Sequence, residues 1–266
     1  MERQELRQHI EHFYRLYTEK YDMYQAIIGV HDKELEDWPY AKYRKYADAL
    51  ENASGAYPDQ SEHCGFVRLR SGLREGKHVR FYMNSHDSES VIEIAGTIFN
   101  KLKKKAGFQL KTIGPRNYGF SRFDNTVLYV NANDNVRLAA EELQKLSCQE
   151  GLFDEETPFA ARKIARGVCY AFTPVSCHRV ILGQYLRHWK YAFNELHSIV
   201  LERTFGVCAE KQITGLEEMF ELYTQALVEA RINPEKPHLS IGVQDPLADI
   251  ESLLCQPSLS CQPASL

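Results

Sequence analysis

The sequence predicts an α+β fold: a central, largely antiparallel sheet with flanking helices, preceded by an N-terminal helical segment. Three observations predict it. Residues 66–147 switch between period-two and helical-period stretches in the order strand, turn, strand, helix, strand, loop, strand, helix. Residues 2–28 and 40–52 carry apolar positions at helical spacing, with no alternation. Two further helical patterns lie at about 181–204 and 214–231.

The first pattern is set by Leu6, Ile10, Phe13, Tyr17, Tyr21 and Tyr24, three or four residues apart, which predicts an amphipathic helix over 2–28. Its tyrosines would also suit a partner surface. Asp37-Trp38-Pro39 stops this region, and a short Tyr/Lys-rich helix follows at 40–52. Asn52 to Glu62 is rich in turn formers and marks a boundary. The chain therefore divides into an N-terminal helical segment (1–62), a main domain (63–251) and a tail (252–266) expected to be disordered, with Cys-Gln-Pro twice.

Phe66-Val67-Arg68-Leu69 reads as a strand. His78 to Asn84 is a stronger one, with Val79, Phe81 and Met83 on one face and Arg80, Tyr82 and Asn84 on the other. Ser88 is the expected cap of a helix over 89–105, whose stripe is Val91, Ile94, Ala95, Ile98 and Leu102. Lys101 to Lys105 and then Gly107 suit its C-terminus. Phe108 to Lys111 and Asn125 to Val130 are two more strands, and 134–147 is a helix. Residues 157–180, punctuated by Pro158, Gly167 and Pro174, read as loop. Asn233-Pro234 breaks the last helix.

Hydrophobic residues make up 44% of the 266-residue chain and charged residues 26%, which places it among globular chains and excludes global disorder. A net charge of -4 makes duplex nucleic acid a poor partner, although a local basic pocket is allowed. Met1 is followed by Glu-Arg-Gln-Glu and no run of about 18 apolar residues occurs, so neither a leader nor a membrane span is expected. The seven cysteines are odd in number and form no CxxC pair. Free thiols in a reducing, cytoplasmic setting are expected, with no structural zinc and no cofactor. HExxH, GxSxG, a Walker loop and GxGxxG are all missing, which argues against the familiar protease, hydrolase, NTPase and dinucleotide-binding classes.

Chemistry concentrates on the polar face of the predicted strands. Arg80 and Tyr82 point the same way, Lys111 closes the next strand, Arg122 sits in the loop after it, and Tyr129 lies in the last strand. Such a set can converge on an anion, because the arginine fork suits phosphate. A lysine held among cations and partly desolvated has a lowered pKa and can serve as a base. The same alternation also describes any half-exposed sheet. His178-Arg179, after a loop and before a predicted helix, is a second anion-site candidate and an equally ordinary helix terminus.

The order of segments is more specific than any one of them. Arg80 to Asn84 is followed by Phe108 to Lys111, Asn117-Tyr118, Arg122-Phe123-Asp124 and Val127-Leu128-Tyr129-Val130. Thr157-Pro158, Lys163, Gly167-Val168, Ser176 to Arg179 and Arg231 to Leu239 come next. This series, over roughly 66–250, resembles the HopA1-like family. An echo lies in His12 to Tyr17. That family includes type III effectors of plant pathogens. It also includes lyases encoded beside phosphotransferase-like kinases in class V lanthipeptide and thioviridamide-like pathways. It is related in fold to effector phosphothreonine lyases.

The resemblance implies a phosphothreonine-lyase-like fold and β-elimination of phosphate from phosphoserine or phosphothreonine. It implies Lys111 as general base, in the order Lys111, Ser121-Arg122, Leu128-Tyr129. Tyr82 stands where those lyases carry an acid histidine, so the proton donor is left between Tyr82 and Tyr129. Arg80, Arg122 and Arg179 would hold phosphate, with Lys163 and His178 less directly matched. Val175-Ser176-Cys177 departs from the family's Phe-Gly before this helix. The implied partners are a phosphorylated precursor peptide and a phosphotransferase-like kinase, which the tyrosine-rich N-terminal helix would contact. The alternatives are an effector secreted into a host cell and a phosphopeptide-binding relative without catalysis.

Overall fold

A computed structural model describes residues 3–30, 36–37, 40–59, 66–114, 116–117, 120, 122–132, 134–174, 180–186 and 191–250. The elements run α1 (Arg3–Thr18), α2 (Met23–Ile27), β1 (Glu36–Asp37), α3 (Tyr40–Ser54), β2 (Phe66–Ser71), β3 (His78–Met83), α4 (Ser88–Leu102), β4 (Phe108–Ile113) and β5 (Arg116–Asn117). They continue β6 (Thr126–Asn131), α5 (Val136–Ser147), β7 (Arg162–Ala165), β8 (Val168–Phe172), β9 (Val180–Ile181), β10 (Gln184–Tyr185), α6 (Phe193–Lys211) and α7 (Leu216–Glu229).

Six strands form one sheet in the order β2-β4-β6-β3-β8-β7. Every pairing is antiparallel, as the alternation over 66–131 predicts. Both faces are covered. Val79, Phe81 and Met83 of β3 join Leu110, Leu128 and Tyr170 under α3, α4 and α5. Tyr82, Val127, Cys169 and Ala171 face the other way, under α1, α2, α6 and α7. Helices from residues 1–62 thus contribute to both layers: α3 lies against α4, and α1 and α2 against α6.

Four details differ from the sequence reading. The helix expected over 2–28 is two helices. Lys20 takes the left-handed conformation (φ 67°), and Asp22 then accepts a hydrogen bond from Gln25 N (2.8 Å) to start α2. Asp87, not Ser88, caps α4, accepting from Ser90 N at 2.8 Å. The stretch read as loop at 157–180 contains the β7–β8 hairpin. β8 lies between β3 and β7 and is buried at every residue, so Val-Cys-Tyr-Ala-Phe shows no polar alternation to read. Gly167 makes its turn at φ 62°, where an added Cβ would strike the Asp154 carbonyl. Last, the helix predicted from 181 begins at Phe193. Residues 180–185 instead form the β9–β10 hairpin around Leu182 and Gly183, both at positive φ. The proposed tail at 252–266 lies outside the described residues.

Candidate functional site

Strand register assembles one polar row on the sheet face below α1, α2, α6 and α7. Arg68 of β2 lies opposite Lys111 of β4, which lies opposite Val127 of β6, which lies opposite Tyr82 of β3. One pleat along, Arg70, Gln109, Tyr129 and Arg80 form a second row. The expected cluster of arginine, lysine and tyrosine therefore shares one face. Lys111 is in the middle of β4, however, and β6 separates it from β3. Tyr129 is the bridge, opposite Gln109 on one side and Arg80 on the other.

The Lys111 side chain is half-buried, with its Nζ 3.6 Å from the centroid of the Phe66 ring. Desolvation lowers its pKa to about 8, and the cations Arg122, Arg68 and Arg80 push the same way, while Asp124 opposes them. This lysine therefore gives up its proton more readily than an exposed one. Arg80 lies over the Tyr129 ring at 5.2 Å and donates through Nε to Thr173 Oγ1 at 3.2 Å. Tyr82 is buried, hydrogen-bonded to Arg80, and tilted against Phe193 at 6.0 Å. Burial pushes its phenol well up, with Arg80 pulling the other way. Burial also raises the Tyr129 phenol.

The loop before β6 supplies the buried charges. Arg122 donates through Nε and Nη2 to Asp124 Oδ1, at 2.9 and 2.8 Å. Asp124 Oδ2 accepts from Asn194 Nδ2 in the first turn of α6 (2.9 Å). Tyr24 of α2 hydrogen-bonds to Arg122. Burial raises the Tyr24 phenol, and the Asp124 charge adds to that. This loop is pinned from two sides. Phe123 N donates to the Ile28 carbonyl (2.9 Å), and its ring fills the space where a Cβ at Gly29 (φ 73°) would stand. Asn125 exchanges hydrogen bonds with both Ser85 N and Ser85 O, at 2.9 and 2.8 Å. Each of these polar side chains finds a partner inside the protein, as buried groups need, but Asn194 Oδ1 meets none among the described residues.

Lys111, Arg80, Tyr82, Tyr129 and Arg122 thus come together. Lys163 does not join them. It lies on β7, four strands from β4, about 19 Å away at the usual strand spacing, and donates to the Glu155 carbonyl at 3.2 Å. His178 and Arg179 lie outside the described residues. Sequence reasoning did not name Arg68, Phe66, Asp124, Asn194 or Tyr24 as site residues. Arg68 was legible as the polar member of the Phe66-Val67-Arg68-Leu69 alternation. Asn194 and Tyr24 reach the site only through tertiary packing. Among the described residues no group of His, Cys, Asp or Glu is placed to hold a metal, and no helix is long and apolar enough to cross a membrane.

The fold and this face define an α+β protein with a lysine set among arginines and tyrosines on a covered antiparallel sheet. Residues 60–182, which carry most of that face, match the HopA1 effector protein family. The resemblance read from the motif order is borne out there. Two solved structures are similar over most of the chain. One is the effector protein from Pseudomonas syringae pv. tomato strain DC3000, with a TM-score of 0.54 and 17% identity over 82% of this chain and 88% of that one. The other is the effector protein from Pseudomonas syringae pv. syringae strain 61, with a TM-score of 0.53 and 18% identity over 88% of this chain and 95% of that one. At that identity they speak to the fold, which they share. No curated protein matches the chain.

Proposed function

We propose that this protein is a phosphoserine/phosphothreonine lyase acting on a phosphorylated peptide, with Lys111 as general base. The observation that carries the reading is the placement of Lys111. It is half-buried between Arg68 and Val127 on the face that holds Arg80 and Tyr82, and its pKa is lowered to about 8 by burial first and by neighbouring arginines second. A neutral amine takes the α-proton of the phosphorylated residue. The electrons of that C–H bond become the Cα–Cβ double bond, the Cβ–O bond breaks, and phosphate leaves with the bonding pair. Arg80 and Arg68 neutralise the leaving charge, and Tyr82 or Tyr129 donates a hydrogen bond or proton to the leaving oxygen. The products are inorganic phosphate and dehydroalanine or dehydrobutyrine. In this reading a phosphotransferase-like kinase supplies the substrate, in the biosynthesis of a modified peptide.

A second reading, an effector or a phosphopeptide-binding protein without catalysis, is favoured by one observation. Tyr82 is buried with a raised phenol pKa, which makes it a reluctant acid.

Mass spectrometry separates the two. A phosphoserine or phosphothreonine peptide is incubated with the protein and with Lys111→Ala. Elimination removes about 98 Da and hydrolysis about 80, and a base such as Lys111 predicts the former. Loss of 98 Da that disappears in Lys111→Ala supports the lyase. Retention of the phosphate by a peptide that still binds supports the second reading.

A further inference from the structure

The end of the sheet that begins β4 and ends β6 carries a concentration of positive charge that the reaction itself does not use. Two segments distant in sequence bring it there. Arg74 and Lys77 lie in the exposed β2–β3 turn with Glu75 between them, and Lys103, Lys104 and Lys105, exposed as well, follow α4, which packs on the sheet face opposite Lys111. The two segments are tied together. Gly72 bridges to Phe108, and a Cβ on Gly107 would run into the Gly72 carbonyl. Asn131 accepts from Arg74 N (3.1 Å) and donates to Asp134 Oδ2 (2.8 Å), which also accepts from Gly107 N (2.7 Å). Asp134 is therefore committed to backbone and amide groups. A helix C-terminus favours a lysine or two in its last turn, but that preference does not bring Arg74 and Lys77 to the same place from another strand pair.

Arg70 leads from the site toward this end of the sheet. Arg70, ion-paired to Asp59 at 3.3 Å, follows Arg68 on the same face, one pleat nearer the cationic end. Arg74 lies six positions beyond Arg68, past the end of β2 at Ser71, so the surface begins at most about 20 Å from Lys111.

We propose that the surface formed by Arg74, Lys77 and Lys103–Lys105 docks an acidic stretch of the peptide whose phosphorylated residue lies at Lys111. The inference rests on the lyase site proposed above and names the sequence feature that selects its substrate. The chemistry favours a peptide over the other polyanions. The exposed large hydrophobic residues among those described are Tyr40, Tyr57, Tyr185, Val228 and Ile241, and none lies in the two segments. Among the described residues of the two segments there is thus no aromatic ring on which bases would stack, and the one large apolar side chain, Leu73, is only half-exposed, which is little to enter a bilayer. An extended peptide rises about 3.3 Å per residue, so acidic side chains up to about six positions from the phosphorylated residue reach toward the cations.

The test is fluorescence anisotropy with two phosphoserine peptides, differing only in four glutamates or four glutamines on one flank, three to six positions from the phosphoserine. Both flanks are tried. The glutamate peptide is expected to bind about tenfold more tightly at low salt, and the advantage to fade in 0.5 M NaCl on the order expected for screened surface charges. K103Q/K104Q/K105Q, all exposed, is expected to fold with a small drop in thermal midpoint from the lost cations at the end of α4, and to lose the advantage. Equal binding of the two peptides overturns the proposal, as does an advantage that survives in the triple variant. Binding to phosphatidylserine vesicles without glutamate preference overturns it too. Phosphate loss is followed on the same peptides. Glutamate preference without elimination leaves the surface standing and removes the lyase, and elimination without preference does the reverse.

Discussion

Asp124 and Arg122, two positions apart in one loop, form an ion pair in which each side chain is only 7% exposed. The pair leaves Asp124 as the carboxylate that faces the cations of the site, and its second oxygen is held by Asn194. Breaking it strands a buried charge. Asp124→Ala is therefore expected to lower stability by about 3–5 kcal/mol, read as a drop in the urea midpoint. A change under about 1 kcal/mol would mean that water reaches Arg122 as it does an exposed pair.

Lys111 titrates near pH 8 and must be neutral to accept a proton. The phosphate of the substrate loses its second proton at about pH 6. On the lyase reading proposed above, elimination is expected to rise with pH through about 8 and then level. Arg68 is one of the cations that lower the Lys111 pKa, so Arg68→Gln should move the upper inflection to higher pH. A kcat profile flat between pH 6 and 9 would remove Lys111 from the role of base.

His197 is buried in α6, where burial lowers its pKa to about 4, against a weaker pull from the Pro237 carbonyl. Its Nδ1 meets no hydrogen-bond partner among the described residues. Unfolded, this histidine takes a proton below about pH 6.5. Between that value and about 4 the unfolded chain binds more protons than the folded one, so stability falls as pH falls through this window. His197→Gln should flatten that slope in denaturation midpoints taken from pH 7 to 4. An unchanged slope would assign it to other groups.

Asp245 ties the segment after α7 to the sheet. Its carboxylate accepts from Arg162 Nη1 (2.6 Å) and from the Tyr170 hydroxyl (2.8 Å), with His238 Nε2 at 3.3 Å. Burial works to raise its pKa, but hydrogen bonds from His238, Tyr170 and Leu247 N prevail and hold it well below the usual carboxylate range. The stability it contributes is full above the unfolded value of about 3.9 and is lost as pH falls toward the depressed one. Asp245→Asn should cost on the order of 3 kcal/mol at pH 7, and Tyr170→Phe about 1. The difference between wild type and Asp245→Asn should shrink as pH falls below about 4.

Much of the sheet was legible because its strands are covered unevenly. In β2, β3 and β4, polar residues alternate with apolar ones along the strand, and that period by itself puts Arg68, Arg80, Tyr82 and Lys111 on the polar faces of their strands. β8 was not legible, because burial on both sides erases the period. The hairpin at 180–185 was hidden by backbone conformation, through positive φ at Leu182 and Gly183, rather than by composition.

The amino-acid sequence by itself determined the α+β class, the shared face of Arg80 and Tyr82, and the motif order that matches the HopA1 effector protein family over residues 60–182. These rest on periods of two and 3.6 residues and on spacing, which are local properties of a chain. Only the tertiary structure decided that β6 separates β3 from β4, that Asp124 occupies Arg122, that Asn194 closes on Asp124, and that Lys163 lies strands away from Lys111. It also decided the proton affinity of Lys111, which depends on how much water the packed helices and neighbouring guanidinium groups leave to its ammonium. Strand order and desolvation are set by contacts between distant segments, and no local pattern encodes them.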